Sequence, residues 1–203
     1  MKKKQNKKKK KMNNKGFTLI ELLAVITIMG ILMMVAIPQI TRTIENSRRD
    51  SFATTAGEYL NAVRNNYMAD NIECGSGSNY VVASGTADGT YYFPINSTKQ
   101  NTIDLMESGG KSPFGNTEVK GYVIWTKTTT ATADGGSKTK IVYKVRLADS
   151  GNHGLQAGTT CELEGKDLKR ANVSTNLTDT CKLTDTDVSN DLTPSTGTGC
   201  RLS

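Results

Sequence analysis

Glu21 is the one charged residue in the apolar segment 17–37, in which 17 of the 21 side chains are apolar. A carboxylate buried without a partner costs several kcal/mol, because its charged form is deprived of water. Glu21 is therefore expected either to reach water at the edge of the segment or to meet a specific cation.

Other kinds of chemistry have little support in the sequence. His153 is the only histidine and lies in a glycine-rich turn, which is typical of an exposed loop residue. The sequence holds no HExxH pair, no phosphate-cradling glycine loop, no nucleophile elbow and no paired carboxylates in an apolar frame. These observations predict no catalytic residue, no enzyme activity and no cofactor.

Four cysteines are candidates for disulfides: Cys74, Cys161, Cys181 and Cys200. Their spacing includes no CxxC or Cys/His pattern of a zinc site, so a metal is not expected. Four cysteines allow three pairings. An argument from the loops that the bonds would close favours Cys161 with Cys181 and Cys74 with Cys200, and the other two pairings stay open.

The positive charge of the chain is confined to its amino terminus. Residues 1–16 carry nine lysines and no acid, whereas the residues beyond Gly16 carry 17 basic and 19 acidic side chains. The formal net charge of +7 therefore belongs to a short tail. A nucleic-acid-binding face on the body of the protein is not supported, because such a face needs clustered basic residues.

The segment 17–37 is long enough to span a membrane, at roughly 31 Å as a helix. A cleavable secretory signal has a shorter apolar region and a small-x-small exit, which the sequence VAIPQ at 35–39 matches poorly. A lipoprotein signal needs a cysteine directly after the apolar run, and the first cysteine is Cys74. We therefore predict a single-pass anchor, with the lysine block in the cytoplasm and the chain after Ile40 outside.

The segment 15–21, KGFTLIE, resembles the processing site of the type IV pilin and type II secretion pseudopilin superfamily. The resemblance continues through 22–39, where 30–32 and 36–39 look like the rest of the family's amino-terminal helix. It implies that a prepilin peptidase cuts between Gly16 and Phe17 and N-methylates Phe17. It also implies an assembly platform, an ATPase and further copies of the chain as partners.

The resemblance assigns a role to Glu21, which is expected to meet the terminal ammonium of a neighbouring subunit and to have no role in an isolated subunit. That contact would supply the paired charge that the dry core of a filament needs.

Gly30 and Pro38 are weak points of the predicted helix and are expected to kink it, because proline removes a backbone donor and glycine weakens the helix.

The periodicity of the sequence predicts an α+β fold. A helix over 18–69 is expected, with an apolar face in its second half formed by Ile40, Ile44, Phe52, Ala56, Tyr59, Leu60, Val63 and Tyr67. Strands are expected at 80–82, 90–93, 119–128 and 138–147, with a hairpin turn at 133–137 and a loop at 75–78. The long helix should pack on a small antiparallel sheet, followed by an irregular tail that contains cysteines.

Two turns have counterparts in the family. The segment 112–116, SPFGN, resembles a turn that leads into the sheet in major pseudopilins and related pilins. The segment 148–152, ADSGN, resembles the family's calcium-binding loop. It holds one carboxylate, which is too few for a hard cation, so an ordinary polar turn is the preferred interpretation and calcium the alternative.

The sequence thus divides into five parts: a cleaved leader at 1–16, a transmembrane or filament-core helix at 17–37, an amphipathic helix at 38–70, a sheet at 71–148 and a tail at 149–203. The preferred function is a pilin, polymerised into a type IV pilus-like filament at the cell surface. The alternatives are a secretion or DNA-uptake pseudopilin, or an adhesin that uses the helix as a plain anchor. A nucleic-acid binder acting through the lysine block is disfavoured, because processing removes that block.

Overall fold

The computed structural model describes residues 16–76, 79–96, 111–115, 117–183 and 198–203. The predicted leader therefore lies outside the described residues except for Gly16. Asn116 of the SPFGN turn and residues 77–78 of the predicted loop also lie outside them.

A single helix, α1, spans Leu19–Met68 and confirms the helix predicted at 18–69. It ends in a Schellman motif, in which the N–H of Asn71 donates to the carbonyl of Asn66 and that of Asp70 to Tyr67. Asp70 adopts a left-handed conformation with φ of 57°, which reverses the chain after the helix.

Two compact units share α1, and the boundary between them falls between Thr43 and Ile44. In the first unit the helix continues through both Gly30 and Pro38. The hydroxyl of Thr27, the only other polar side chain between Glu21 and Pro38, donates to the carbonyl of Ala24. Its polar atom is therefore satisfied within the helix.

In the second unit, Ile44–Ser203, the part of α1 that belongs to this unit packs on a sheet, as predicted. The buried face of the helix begins at Phe52 and consists of Phe52, Ala53, Ala56, Tyr59, Leu60, Val63 and Tyr67. Their spacing of three and four residues places them along one stripe. Ile40 and Ile44 were predicted for the same face but are exposed, because the buried part of the helix starts at Phe52, about two turns beyond Ile44 and three beyond Ile40.

The described residues form nine strands of one sheet, which in chain order are β1 Ile72–Ser76, β2 Asn79–Val82, β3 Gly89–Asn96, β4 Val119–Ala131, β5 Ser137–Asp149, β6 Gly154–Leu155, β7 Leu163–Glu164, β8 Val173–Ser174 and β9 Thr198–Leu202. Their spatial order is β2-β1-β9-β3-β4-β5-β6-β8, and β7 also pairs with β5. All pairings are antiparallel except that of β3 with β9.

The β4–β5 hairpin is the longest pairing, from Val119 opposite Asp149 to Ala131 opposite Ser137. Its turn confirms the predicted hairpin signal, with the N–H of Thr132 donating to the carbonyl of Gly136. Gly135 supplies the left-handed conformation, with φ of 82°. The inward residues of this hairpin, among them Val123, Trp125, Val145 and Leu147, form the core with α1.

The predicted loop at 75–78 is wrong for its first two residues, which belong to β1 and pair with β2. The carboxy-terminal tail is also more ordered than expected, because β9 lies inside the sheet between β1 and β3. Periodicity could not indicate β9, since it is five residues long and its partners are more than 100 residues away in the sequence.

Candidate functional site

The amino-terminal end of α1 is built around Thr18 and Glu21. The Glu21 carboxylate accepts hydrogen bonds from the Thr18 N–H at 2.8 Å and from its hydroxyl at 2.9 Å. In return, the Thr18 hydroxyl oxygen accepts the Glu21 N–H at 3.3 Å. This is a capping box, in which the residue at N-cap and the residue three positions later satisfy each other's backbone donors.

Glu21 therefore has a role inside one subunit, contrary to the expectation from the sequence. The TxxE spacing of a capping box is visible in the sequence and could have indicated it. The expected role of Glu21 in assembly is a separate matter, because the Thr18 donors of the capping box are neutral groups and do not compensate the negative charge of the carboxylate. A nearby ammonium would be attracted to the same carboxylate.

Gly16 and Phe17, the predicted cleavage pair, directly precede the capping box. Phe17 is 88% exposed. A Cβ built on Gly16 would have no atom of the described residues within 4 Å, so this part of the chain leaves room for a side chain at the position. Packing among the described residues therefore gives no reason for a glycine at residue 16.

The helix beyond the capping box presents an unbroken apolar surface. Among the described residues, α1 is the helix that is long and apolar enough, by its length and composition, to cross a membrane. Its most apolar stretch is not buried against any other described part of the chain. A helix exposed on all sides and apolar on all sides needs a partner other than water, either lipid or further protein.

The four cysteines form two disulfides, and these are the pairs favoured by the argument from loop closure. Cys74 joins Cys200 between β1 and β9, where the two residues lie directly opposite each other with a Cα–Cα distance of 4.1 Å. Cys161 joins Cys181 with a Cα–Cα distance of 5.3 Å. The first bond fixes β9 within the sheet, and the second closes a 20-residue segment of the tail.

The tail is also tied to the second-unit part of α1 by charged groups. Arg49 forms an ion pair with Glu45 at 2.6 Å and donates to the carbonyl of Val173 at 3.2 Å. Arg170 forms an ion pair with Asp50 at 2.8 Å. These contacts hold the strand β8 and the turn before it against the helix.

Asp149, in the turn that resembles a calcium loop, has a fully buried carboxylate. One oxygen accepts the N–H groups of Gly151 at 2.8 Å and His153 at 2.9 Å. The other accepts the hydroxyls of Ser112 at 2.6 Å and Thr117 at 3.3 Å. The Nδ1 atom of His153 lies 3.0 Å from both oxygens. Sequence reasoning missed this cluster, since Ser112 is 37 residues from Asp149 and no local pattern links them.

The predicted site residues fall into separate places. Gly16, Phe17 and Glu21 lie together at the start of α1, Gly30 and Pro38 lie further along the helix, and the cysteines lie in the second unit. Within the described residues there is no group of three or more His, Cys, Asp or Glu side chains that could hold a metal ion.

Comparison with known proteins identifies the amino-terminal segment. The family model described as "Prokaryotic N-terminal methylation motif" matches residues 11–37. No curated protein and no solved structure shows a significant similarity to the chain. The matched segment contains the capping box and most of the exposed apolar helix. The motif is a mark of structural, pilin-like proteins, and together with the apolar helix it suits a membrane-anchored single-pass protein. The chain thus carries the N-terminal methylation motif, the hallmark of type IV pilins and pseudopilins.

Proposed function

We propose that this chain is a structural subunit that is cleaved after Gly16, N-methylated at Phe17 and polymerised into a type IV pilus-like filament outside the cytoplasm. The observation that carries the proposal is the apolar helix, matched by the methylation motif and exposed along its whole length up to Ile40. Such a surface is stable in a bilayer before assembly and against neighbouring helices after it.

The charge at the start of α1 supports assembly rather than simple anchoring. Cleavage at Gly16 creates an ammonium on Phe17, four residues before the Glu21 carboxylate. In a dry filament core, each of these charges needs a partner, and the loss of one costs about 3–5 kcal/mol. An ammonium–carboxylate contact between adjacent subunits would compensate both charges and set the register of the helices.

The features of the second unit favour a pilus. The Cys74–Cys200 disulfide, the Arg170–Asp50 ion pair and the hydrogen bond from Arg49 to the Val173 carbonyl secure the carboxy-terminal tail on the head. The Cys161–Cys181 disulfide closes a loop within the tail. These links suit a subunit exposed to shear and to an oxidising exterior. The second candidate function is a type II secretion pseudopilin. It shares the amino-terminal motif, and the Pro113-Phe114-Gly115 turn before β4 resembles a turn common to major pseudopilins and related pilins.

The amino terminus of the protein purified from its native cells tests the proposal. Mass spectrometry should find a chain that begins at Phe17 and carries one methyl group on its terminal nitrogen. The same subunit should appear in the filament fraction sheared from the cell surface. An intact leader on surface-exposed protein would overturn the proposal in favour of a plain anchored adhesin.

The fate of the sheared fraction separates the two filament types. A pilus places long filaments in that fraction under ordinary expression. A secretion pseudopilin is expected to remain with the cell, and its deletion should block the release of other exported proteins.

A further inference from the structure

The turn after β5 brings together groups that neither the methylation motif nor the apolar helix explains. The Asp149 carboxylate is fully buried, and in the described part of the chain its neighbours are hydrogen-bond donors: two backbone N–H groups, two hydroxyls and the His153 ring. Both oxygens of this buried carboxylate thus have hydrogen-bond partners within the protein and need no metal to satisfy them.

The donor set does not fit calcium. Calcium takes six to eight oxygen ligands, mostly carboxylate and carbonyl oxygens. Around Asp149 the two backbone contacts are N–H groups, which point hydrogens rather than lone pairs at the carboxylate. The imidazole Nδ1 lies 3.0 Å from each carboxylate oxygen, where a cation bound to both oxygens would have to sit.

The same carboxylate holds a distant loop in place. Ser112 donates to Asp149 and accepts the N–H of Phe114 at 3.2 Å, so the segment 111–115 is folded around the carboxylate. The Phe114 ring stacks on His153 with ring centroids 4.3 Å apart and planes 4° from parallel. The Phe114 ring also contacts Phe52 of α1, with ring centroids 6.0 Å apart.

We propose that Asp149 and His153 form a metal-independent latch that docks the segment 111–115 on α1 at Phe52. Because an ionised carboxylate only accepts hydrogen bonds, the His153 Nδ1 must carry the hydrogen. The neutral ring is therefore the Nδ1–H tautomer, which leaves Nε2 unprotonated. Phe52 is the first buried residue of α1, so the latch acts where the buried face of the helix begins.

The tautomer is directly measurable, because His153 is the only histidine in the chain. The mature full-length protein, labelled with ¹⁵N-histidine and purified in detergent micelles through a tag without histidine, should give one imidazole spin system. At mildly alkaline pH its nitrogen shifts should be those of the Nδ1–H form. The Nε2–H form would overturn the proposal.

Thermal melts of the same protein test the independence from metal. Addition of calcium chloride or of EDTA should leave the melting temperature unchanged. A calcium-dependent rise of several degrees that EDTA reverses would show that the cluster takes the cation, and would overturn the proposal.

Two substitutions of His153 separate the donor from the ring. His153→Asn keeps an N–H near the position of Nδ1, whereas His153→Phe keeps a ring for Phe114 but removes the donor. We expect the melting temperature to fall by roughly 2–6 °C in His153→Phe and to stay closer to the wild type in His153→Asn. Hydrogen exchange of the 111–115 amides should accelerate in His153→Phe. Equal behaviour of the two variants in both measurements would refute the role of the donor.

Discussion

The Glu21 carboxylate and the Thr18 backbone cap each other at the start of α1, with the Thr18 N–H 2.8 Å and its hydroxyl 2.9 Å from the same carboxylate oxygen. The first turn of a helix has four N–H groups without intrahelical partners, and in a bilayer water cannot satisfy them. One residue thus serves two needs: it completes the helix end within a subunit and carries the charge that we assign to assembly.

Two substitutions of Glu21, compared with one of Thr18, separate these two roles. Glu21→Gln keeps a side chain that can cap Thr18 but removes the charge, whereas Glu21→Val removes both. We expect both variants to be processed and to accumulate in the membrane without sheared filaments. The reason is that the Phe17 ammonium of the adjacent subunit would be buried unpaired, at a cost of about 3–5 kcal/mol.

Thr18→Val is the matched control, because it weakens the cap by about 1 kcal/mol and keeps the charge. This variant should still form filaments, though with a lower yield. Normal filaments from Glu21→Gln together with none from Thr18→Val would show that the cap, rather than the charge, governs assembly. The measurement is immunoblotting of the sheared and membrane fractions.

Processing should depend on Gly16 although the described residues leave space for a side chain there. Gly16→Val should leave the full-length precursor in the membrane, since a branched side chain would crowd the scissile bond in the peptidase. Gly30→Ala is the control, because a Cβ at Gly30 also meets nothing within 4 Å and lies away from the cut. A mature band 16 residues shorter than the precursor in Gly16→Val cells would mean that the cleavage site is elsewhere.

The two disulfides should contribute unequally to stability. In the chain-entropy model, the 20-residue separation of Cys161 and Cys181 corresponds to about 3 kcal/mol. The 126-residue separation of Cys74 and Cys200 corresponds to about 5 kcal/mol. Guanidinium unfolding of the Cys161→Ser/Cys181→Ser and Cys74→Ser/Cys200→Ser double variants should therefore show the larger loss in the second. Peptide mapping without reductant and a thiol titration of the native protein check the pairing, and four reactive thiols would exclude it.

Acidic pH should weaken the contact between the turn before β3 and the β4–β5 hairpin. Asp88 accepts the N–H of Thr129 at 2.6 Å and its hydroxyl at 2.8 Å, and these hydrogen bonds lower the pKa of Asp88 below its ordinary value. A depressed pKa means that this contribution is present above the unfolded-state value and is lost as the pH falls through the folded-state value. Carboxyl NMR titration should show Asp88 titrating at lower pH than a free aspartate. In Thr129→Val, which keeps only the backbone donor, the displacement should be smaller, and an equal displacement would rule out the hydroxyl contribution.

The hairpin should not tolerate a side chain at Gly121. A Cβ built there would overlap the carbonyl oxygen of Arg146 on β5, and a backbone atom cannot rotate away as a side chain can. Gly121→Ala should destabilise the protein by about 1–3 kcal/mol, because the two strands must separate locally. Gly85→Ala, where the added Cβ meets nothing within 4 Å, should be nearly neutral. Denaturant unfolding of the two variants measures the difference.

Local patterns determined much of this protein. Consecutive residues identify the apolar segment with its single carboxylate and the methylation motif. A period of three to four residues indicates the stripe from Phe52 to Tyr67, and a period of two with a turn sequence indicates the β4–β5 hairpin. The two disulfide pairs agree with the argument from loop closure, although the spacing of the cysteines alone left two other pairings open.

The tertiary structure alone decided the contacts that join distant parts of the chain. The place of β9 depends on pairing with β1 and β3, and the cluster at Asp149 depends on Ser112 and Thr117, which lie 37 and 32 residues away. Neither arrangement leaves a periodic signal, because a short strand or a single buried carboxylate is specified by partners that only folding brings near. The exposure of Ile40 and Ile44 follows the same principle: an apolar stripe indicates which side of a helix can be buried, and the available partner determines where burial begins.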